Sequence, residues 1–79
     1  MEYIATFFSH YAAVLFTRGL TERGIPGTLM PVPRRVSSSC GTGVQFVTDA
    51  EVSALAQEGL EKIFRHENGT YVLVFENET

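Results

Sequence analysis

A single cysteine and only six basic residues are the clearest shortages of this chain. One cysteine cannot form an internal disulfide, which agrees with a reducing compartment. The chain has six basic and nine acidic residues and a net charge of -3. This charge argues against binding along nucleic acid, which needs many basic residues along the binding surface. No apolar run approaches the roughly 20 residues that span a bilayer, and the start lacks the basic segment of a signal peptide. We therefore expect a cytoplasmic protein that binds neither nucleic acid nor a membrane.

The length of 79 residues predicts one small domain over 1–79. A domain of this size buries only about 60% of its unfolded surface, so a homodimer would add burial and stability. Hydrophobic residues make up 44% of the chain and charged residues 19%, which is the composition of a globular protein rather than a disordered one. A modest core, with homodimerisation as one way to extend it, is the expectation.

The first third of the sequence predicts a strand followed by a helix. Aromatic and β-branched residues fill both sides of "EYIATFF" (2–8), which indicates a strand covered on both faces. Ser9 can cap the helix that follows, and Gly24 with Pro26 can end it. The apolar stripe of that helix is formed by residues at three- and four-residue spacing, namely Ala12, Ala13, Phe16 and Leu20.

Two more strands and a second helix are predicted from the middle of the chain. The segment 28–33 favours an edge strand, because its two prolines cannot donate to a ladder, and 43–47 alternates as a third strand. Thr48 and Glu51 fit a capping box, which predicts a helix with a buried stripe from Val52 to Leu60. The C-terminal runs are joined at "ENGT", whose Asn-Gly pair suits the type I′ turn of a hairpin.

These elements give the order β-α-β-β-α-β, followed by an extra strand over 70–75. Because crossover connections are short and right-handed, this order predicts an α+β, ferredoxin-like βαββαβ sandwich with an additional C-terminal hairpin strand. In that topology the first strand ends at the same end of the sheet as the loop that connects the second strand to the third. We therefore expect the loop at 33–41 to lie close to Ser9, His10 and the start of the first helix.

The loop "PRRVSSSCG" (33–41) holds the lone cysteine and is the main candidate site. A thiolate is the reactive form of cysteine, and cations, hydroxyls and free amides stabilise it. The residues expected to do so around Cys40 are Arg34, Arg35, Ser37, Ser39, Gly41 and His10. The alternative is structural: a free cysteine often packs as a small hydrophobe, and arginines at a strand end are usually solvated.

Other chemistry has less support in the residues. A metal site needs about three or four ligands at ordered spacing, and Cys40, His10 and His66 with scattered acids do not provide that pattern. Cys40 and His10 could act as nucleophile and base, but no acidic group is found to orient the histidine. The sequence thus predicts no metal and no cofactor.

The segments "TFFS", "HYAA", "RGIPG" and "LMPVPRRVSSSCGTGVQF" together resemble a small bacterial family of selenium/sulfur carrier-like proteins. The resemblance runs from Tyr3 to about Tyr71. Its most specific part is a short set of loop residues, namely Pro33, Arg34, Ser37, Ser39, Cys40 and Gly41.

The resemblance implies that Cys40 is the carrier residue, with Arg34 and the serines around it. Cys40 would then accept sulfur or selenium as a persulfide or selenenyl sulfide and pass it to a partner protein, with separate donor and acceptor proteins. A lone cysteine suits this role, because no second thiol of the chain can resolve the adduct. An alternative remains open: a regulatory or interaction module that binds an anion or a partner at this loop, where Arg34 and Arg35 matter and Cys40 does not.

Overall fold

A computed structural model describes residues 1–36 and 38–77 as one five-stranded sheet with one α-helix. The elements are β1 (Glu2–Phe7), α1 (His10–Glu22), β2 (Gly27–Pro31), β3 (Thr42–Val47), a 3-10 helix (Val52–Leu55), β4 (Leu60–Glu67) and β5 (Thr70–Glu76). The strand order is β2-β3-β1-β4-β5, and every neighbouring pair is antiparallel. The α+β class is confirmed.

β1 is the central strand and is buried on both faces, as predicted. One of its faces packs under α1, because strand side chains alternate and Tyr3, Ala5 and Phe7 all point to the helix. The helix contributes its predicted stripe to the same core, and the 3-10 helix adds Val52 and Leu55. Ile4 and Thr6, on the opposite face, are also buried although no helix covers them.

The ends of α1 confirm the predicted caps. The Ser9 hydroxyl accepts a hydrogen bond from the Ala12 amide at 3.2 Å, which satisfies one of the free amides of the first turn. At the other end Gly24 has a φ of 76°, and the Ile25 amide folds back to the Leu20 carbonyl at 2.9 Å. These contacts turn the chain directly into β2.

The second helix was predicted wrongly. Residues 48–59 contain only the 3-10 helix, and the Thr48 hydroxyl accepts from the Ala50 amide at 3.0 Å instead of capping a longer helix. Gly59 explains part of this difference: an added Cβ there would lie 2.4 Å from the Cβ of Ala12. The segment therefore passes directly against α1, and this tertiary contact outweighs a short run of helix-forming residues, whose helicity alone is marginal. The ferredoxin-like βαββαβ arrangement is accordingly not confirmed.

The two edges of the sheet differ in character. β2 forms one edge, as predicted, and Pro31 ends it. β5 forms the other edge and follows a turn in which Asn68 and Gly69 both have positive φ, 51° and 75°, as the type I′ prediction requires. β5 contains neither proline nor lysine.

Candidate functional site: the cysteine loop

The loop that carries Cys40 leaves the sheet after β2 and returns at β3. Its base is closed by a hydrogen bond from the Val32 amide to the Gly41 carbonyl at 3.0 Å, and a tight turn is closed from the Val36 amide to the Pro33 carbonyl at 3.0 Å. Gly41 has a φ of 75°, a conformation that L residues with a side chain rarely adopt. The described residues of the loop are therefore held by defined backbone contacts.

The turn from Pro33 to Val36 places the two arginines at its corners. The Arg35 Nη1 atom donates to the Gly69 carbonyl at 3.3 Å, while Arg34 is exposed. Because β2 is one edge of the sheet and Gly69 lies in the turn beside the other edge, the loop must cross the helix-free face. Val36, in this turn, is only 5% exposed.

Cys40 is half-buried and packs against the core cluster. Its Sγ atom donates to the Thr42 carbonyl at 3.6 Å, a contact that requires the thiol proton and so suits the neutral form. Among the residues that the structure describes, no hydrogen bond or ion pair links either arginine to Cys40. The contacts with arginine that the sequence predicts for the sulfur are therefore not found among the described residues.

His10 lies beside the loop, at the end of the sheet where the topology predicts it. Its Nδ1 atom is 3.3 Å from the Thr42 hydroxyl, and the side chain is exposed. The start of α1 and the start of β3 are thus neighbours. His10 contacts a residue two positions beyond the cysteine rather than the sulfur itself.

Ser39 makes the strongest polar contacts of the loop. Its amide donates to the Glu61 Oε1 atom at 3.1 Å, and its hydroxyl donates to Oε2 at 2.8 Å. Glu61 is only 9% exposed. A carboxylate this buried needs donors, and the residue before the cysteine supplies two of them. Sequence reasoning missed Glu61, because a single acid within "LEKIF" carries no signal of a partner that lies 22 positions away.

The remaining loop residues have simpler roles. The Ser38 hydroxyl accepts from the Gly41 amide at 3.3 Å and so supports the turn that contains the cysteine. Ser37, a predicted site residue, lies outside the described residues. Across 1–36 and 38–77 no group of three or more His, Cys, Asp or Glu side chains is placed to hold a metal ion.

A cavity of about 180 Å³ lies at the other end of the sheet and is lined by Glu2, Tyr3, Ile4, Met30, Gln45, His66 and Tyr71. In it the His66 Nδ1 atom is 3.5 Å from the Glu2 carboxylate, and the His66 ring stacks on Tyr71 with centroids 4.5 Å apart. Glu2 pairs with Val47 at the far end of β1, whereas Thr6 pairs with Gly43 near the cysteine loop. The second histidine of the chain is therefore remote from Cys40.

The protein is therefore a small antiparallel α+β domain with a single free cysteine on the loop between β2 and β3. The family model described as "Putative Se/S carrier protein-like" matches residues 2–68. The chain belongs to this family, which confirms the resemblance seen in the sequence. No curated protein and no solved structure matches the chain. None of the helices in the described residues is long and apolar enough to cross a membrane.

Proposed function

We propose that this protein is a sulfur or selenium carrier that loads the transferred atom on Cys40. The observation that carries the proposal is the presentation of the chain's only cysteine, half-buried, on a folded loop at the end of the sheet, in a chain of the Se/S carrier family. A cytoplasmic location belongs to the same proposal, because a free thiol persists in a reducing compartment.

The transfer needs only thiol exchange. The Cys40 thiolate attacks the terminal sulfur of a persulfide on a donor protein, a new S–S bond forms at Sγ, and the donor's cysteine leaves as a thiolate. A thiolate of the acceptor protein then attacks that terminal sulfur and releases Cys40. No net oxidant is needed, since the sulfur keeps its oxidation state at both steps. Selenium would follow the same route through a selenenyl sulfide.

The loop residues divide into two groups under this proposal. Ser39 and Gly41 shape the backbone around Cys40, whereas the exposed side chains of Arg34 and His10 are available to the terminal anion of the loaded state. Arg35 and Ser37 complete the proposed set. In the resting loop Arg35 contacts Gly69 instead, so its contribution to the anion requires that this contact break.

Persulfide mass spectrometry tests the carrier function. The protein is incubated with a cysteine desulfurase and cysteine, and the expected result is a gain of about 32 Da at Cys40 that dithiothreitol reverses. Cys40→Ser is the control and should show no gain. An unmodified Cys40 in well-folded protein, with the desulfurase active, would contradict the proposal.

A second function is favoured by the exposure of Arg34 at the corner of the turn and by the contact of Arg35 with the Gly69 carbonyl. In this alternative the loop binds an anion or an acidic partner, and Cys40 is a packing residue. Titration with inorganic phosphate, followed by amide chemical shifts, distinguishes the two. Binding that Arg34→Gln removes and Cys40→Ser leaves intact supports the binding module.

The partners proposed are a donor protein, an acceptor protein and a second copy of the chain. β5 is suited to pairing between copies, because no strand of the described residues pairs with its outer edge. The strand carries Val72, Leu73 and Val74, each at least 37% exposed. Natural edge strands are commonly protected by lysine or proline, and β5 has neither. Its one charged residue, Glu76, lies at the end of the strand, so two antiparallel copies can pair without placing like charges opposite each other.

A further inference from the structure

A β-bulge points Glu61 at the cysteine loop. Between β1 and β4 the pairing shifts by one residue, with Thr6 opposite Lys62 and Phe7 opposite Leu60. Glu61 is the extra residue. A bulge bends the strand and redirects a side chain, and bulges are frequent beside functional sites.

The bulge is held from its other side by the end of the chain that follows β5. The Asn77 amide donates to the Glu61 carbonyl at 2.9 Å, and the Asn77 side chain donates to the Leu60 carbonyl at 3.1 Å. Both carbonyls of the bulge are therefore satisfied. This arrangement fixes the backbone and leaves the Glu61 carboxylate as the group that reaches Ser39.

We propose that Glu61 is a positioning residue that latches the cysteine loop, an inference that rests on the carrier function proposed above. In the latched state its carboxylate accepts both protons of Ser39, and Cys40 stays packed against the core with its thiol donating to Thr42. Loading and unloading of Cys40 take place when the Ser39 contacts break and the loop opens. Glu61 touches neither the sulfur nor a partner, and it acts through Ser39.

The latched geometry is closed to transfer on two counts. The thiol proton is donated to the Thr42 carbonyl, and the half-buried sulfur is packed against the core cluster. Opening the loop removes both restrictions. A partner surface that supplies its own donors to the Glu61 carboxylate, or that takes the Ser39 donors, would favour the open state.

The test measures how fast iodoacetamide alkylates Cys40 in matched variants. Glu61→Gln keeps the size of the side chain and removes its charge and one acceptor, while Ser39→Ala removes only the hydroxyl donor. Ser39→Thr retains that hydroxyl and serves as the conservative rescue. Glu58→Gln, which changes an exposed acid three positions earlier, is the control.

We expect Glu61→Gln to alkylate about tenfold faster than the native protein, which corresponds to about 1.4 kcal/mol in the opening equilibrium. Ser39→Ala should be accelerated several-fold, and Ser39→Thr and Glu58→Gln should keep the native rate. The acceleration should be the same factor from about pH 6 to about pH 9, because opening precedes the chemistry of the thiol. In amide NMR spectra the backbone amide proton at position 39 should remain hydrogen-bonded to a carboxylate in Ser39→Thr and should lose that carboxylate acceptor in Glu61→Gln.

Native alkylation rates in both Glu61→Gln and Ser39→Ala would overturn the latch, as would an equal acceleration in Glu58→Gln. If Glu61→Gln does not fold, the comparison of Ser39→Ala with Ser39→Thr decides, since Ser39 is exposed and either change leaves the core intact. The latch and the carrier function are tested separately. Accelerated alkylation without persulfide formation supports the latch and refutes the carrier. Persulfide formation with unchanged alkylation rates supports the carrier and refutes the latch.

Discussion

The carboxylate of Glu61 holds the amide and the hydroxyl of Ser39 at 3.1 and 2.8 Å, so the residue before the only cysteine is tied to the beginning of β4. This contact joins β4, an interior strand of the sheet, to a loop that starts at its β2 edge. It also brings a negative charge, not a positive one, to the residue next to the sulfur. The loop is thus organised first for packing, and its reactivity depends on opening.

The contact between Ser39 and Glu61 should contribute to global stability. Ser39→Ala removes one hydrogen bond to a charged, buried acceptor and should lower the free energy of unfolding by about 1 to 2 kcal/mol. Urea unfolding measures the change. Ser53→Ala, which removes an exposed hydroxyl contact to Glu51, should stay within about 0.5 kcal/mol of the native protein, and equal losses in the two variants would contradict the prediction.

Gly59 should be intolerant of a side chain for two reasons. Its φ is +89°, and an added Cβ would lie 2.4 Å from Ala12. Gly69 has a φ of +75° with nothing within 4 Å of an added Cβ, so it isolates the cost of backbone conformation. We expect Gly69→Ala to cost about 1 to 2 kcal/mol and Gly59→Ala clearly more. Thermal unfolding of the two variants compares them, and an equal loss would show that the close approach to α1 relaxes freely.

Val36 should act as the anchor of the loop on the helix-free face. It is 5% exposed, and Val36→Ala removes two buried carbon atoms, which should lower the free energy of unfolding by about 1 to 2 kcal/mol. Val72 of β5, which is 38% exposed, is the control for the same substitution at an exposed valine. Val72→Ala should change stability by less than half as much in urea unfolding. A Val36→Ala protein of native stability would mean that the loop is not anchored there.

Self-association should depend on the β5 edge and not on the β2 edge. Leu73 and Leu29 lie on the two edge strands and are similarly exposed, at 46% and 41%. Leu73→Lys should weaken the dimer at least tenfold in sedimentation equilibrium, because a charge on an edge opposes pairing, and Leu29→Lys should leave it unchanged. A native protein that stays monomeric at all concentrations would refute the dimer itself.

Much of this fold could be predicted because the signals are local. The Ser9 cap, the apolar stripe of α1, the Gly24 stop and the Asn-Gly turn each depend on residues within a few positions of one another. The lone cysteine and its loop were likewise visible in the sequence, and the family model confirms the resemblance. The second helix was not predictable in this way, because its absence is explained in part by the close approach of Gly59 to Ala12 of α1.

The surroundings of the cysteine show the same division. By itself, the sequence determined the composition of the loop, the alternation that makes β1 a central strand and the end of the sheet at which the loop lies near His10. Only the tertiary structure decided that Arg35 turns to Gly69 and that Glu61, an acid without a local signal, binds Ser39. The physical reason is that these contacts join residues far apart in the chain. They form only once the strands are paired, and the spacing of residues along the sequence does not indicate them.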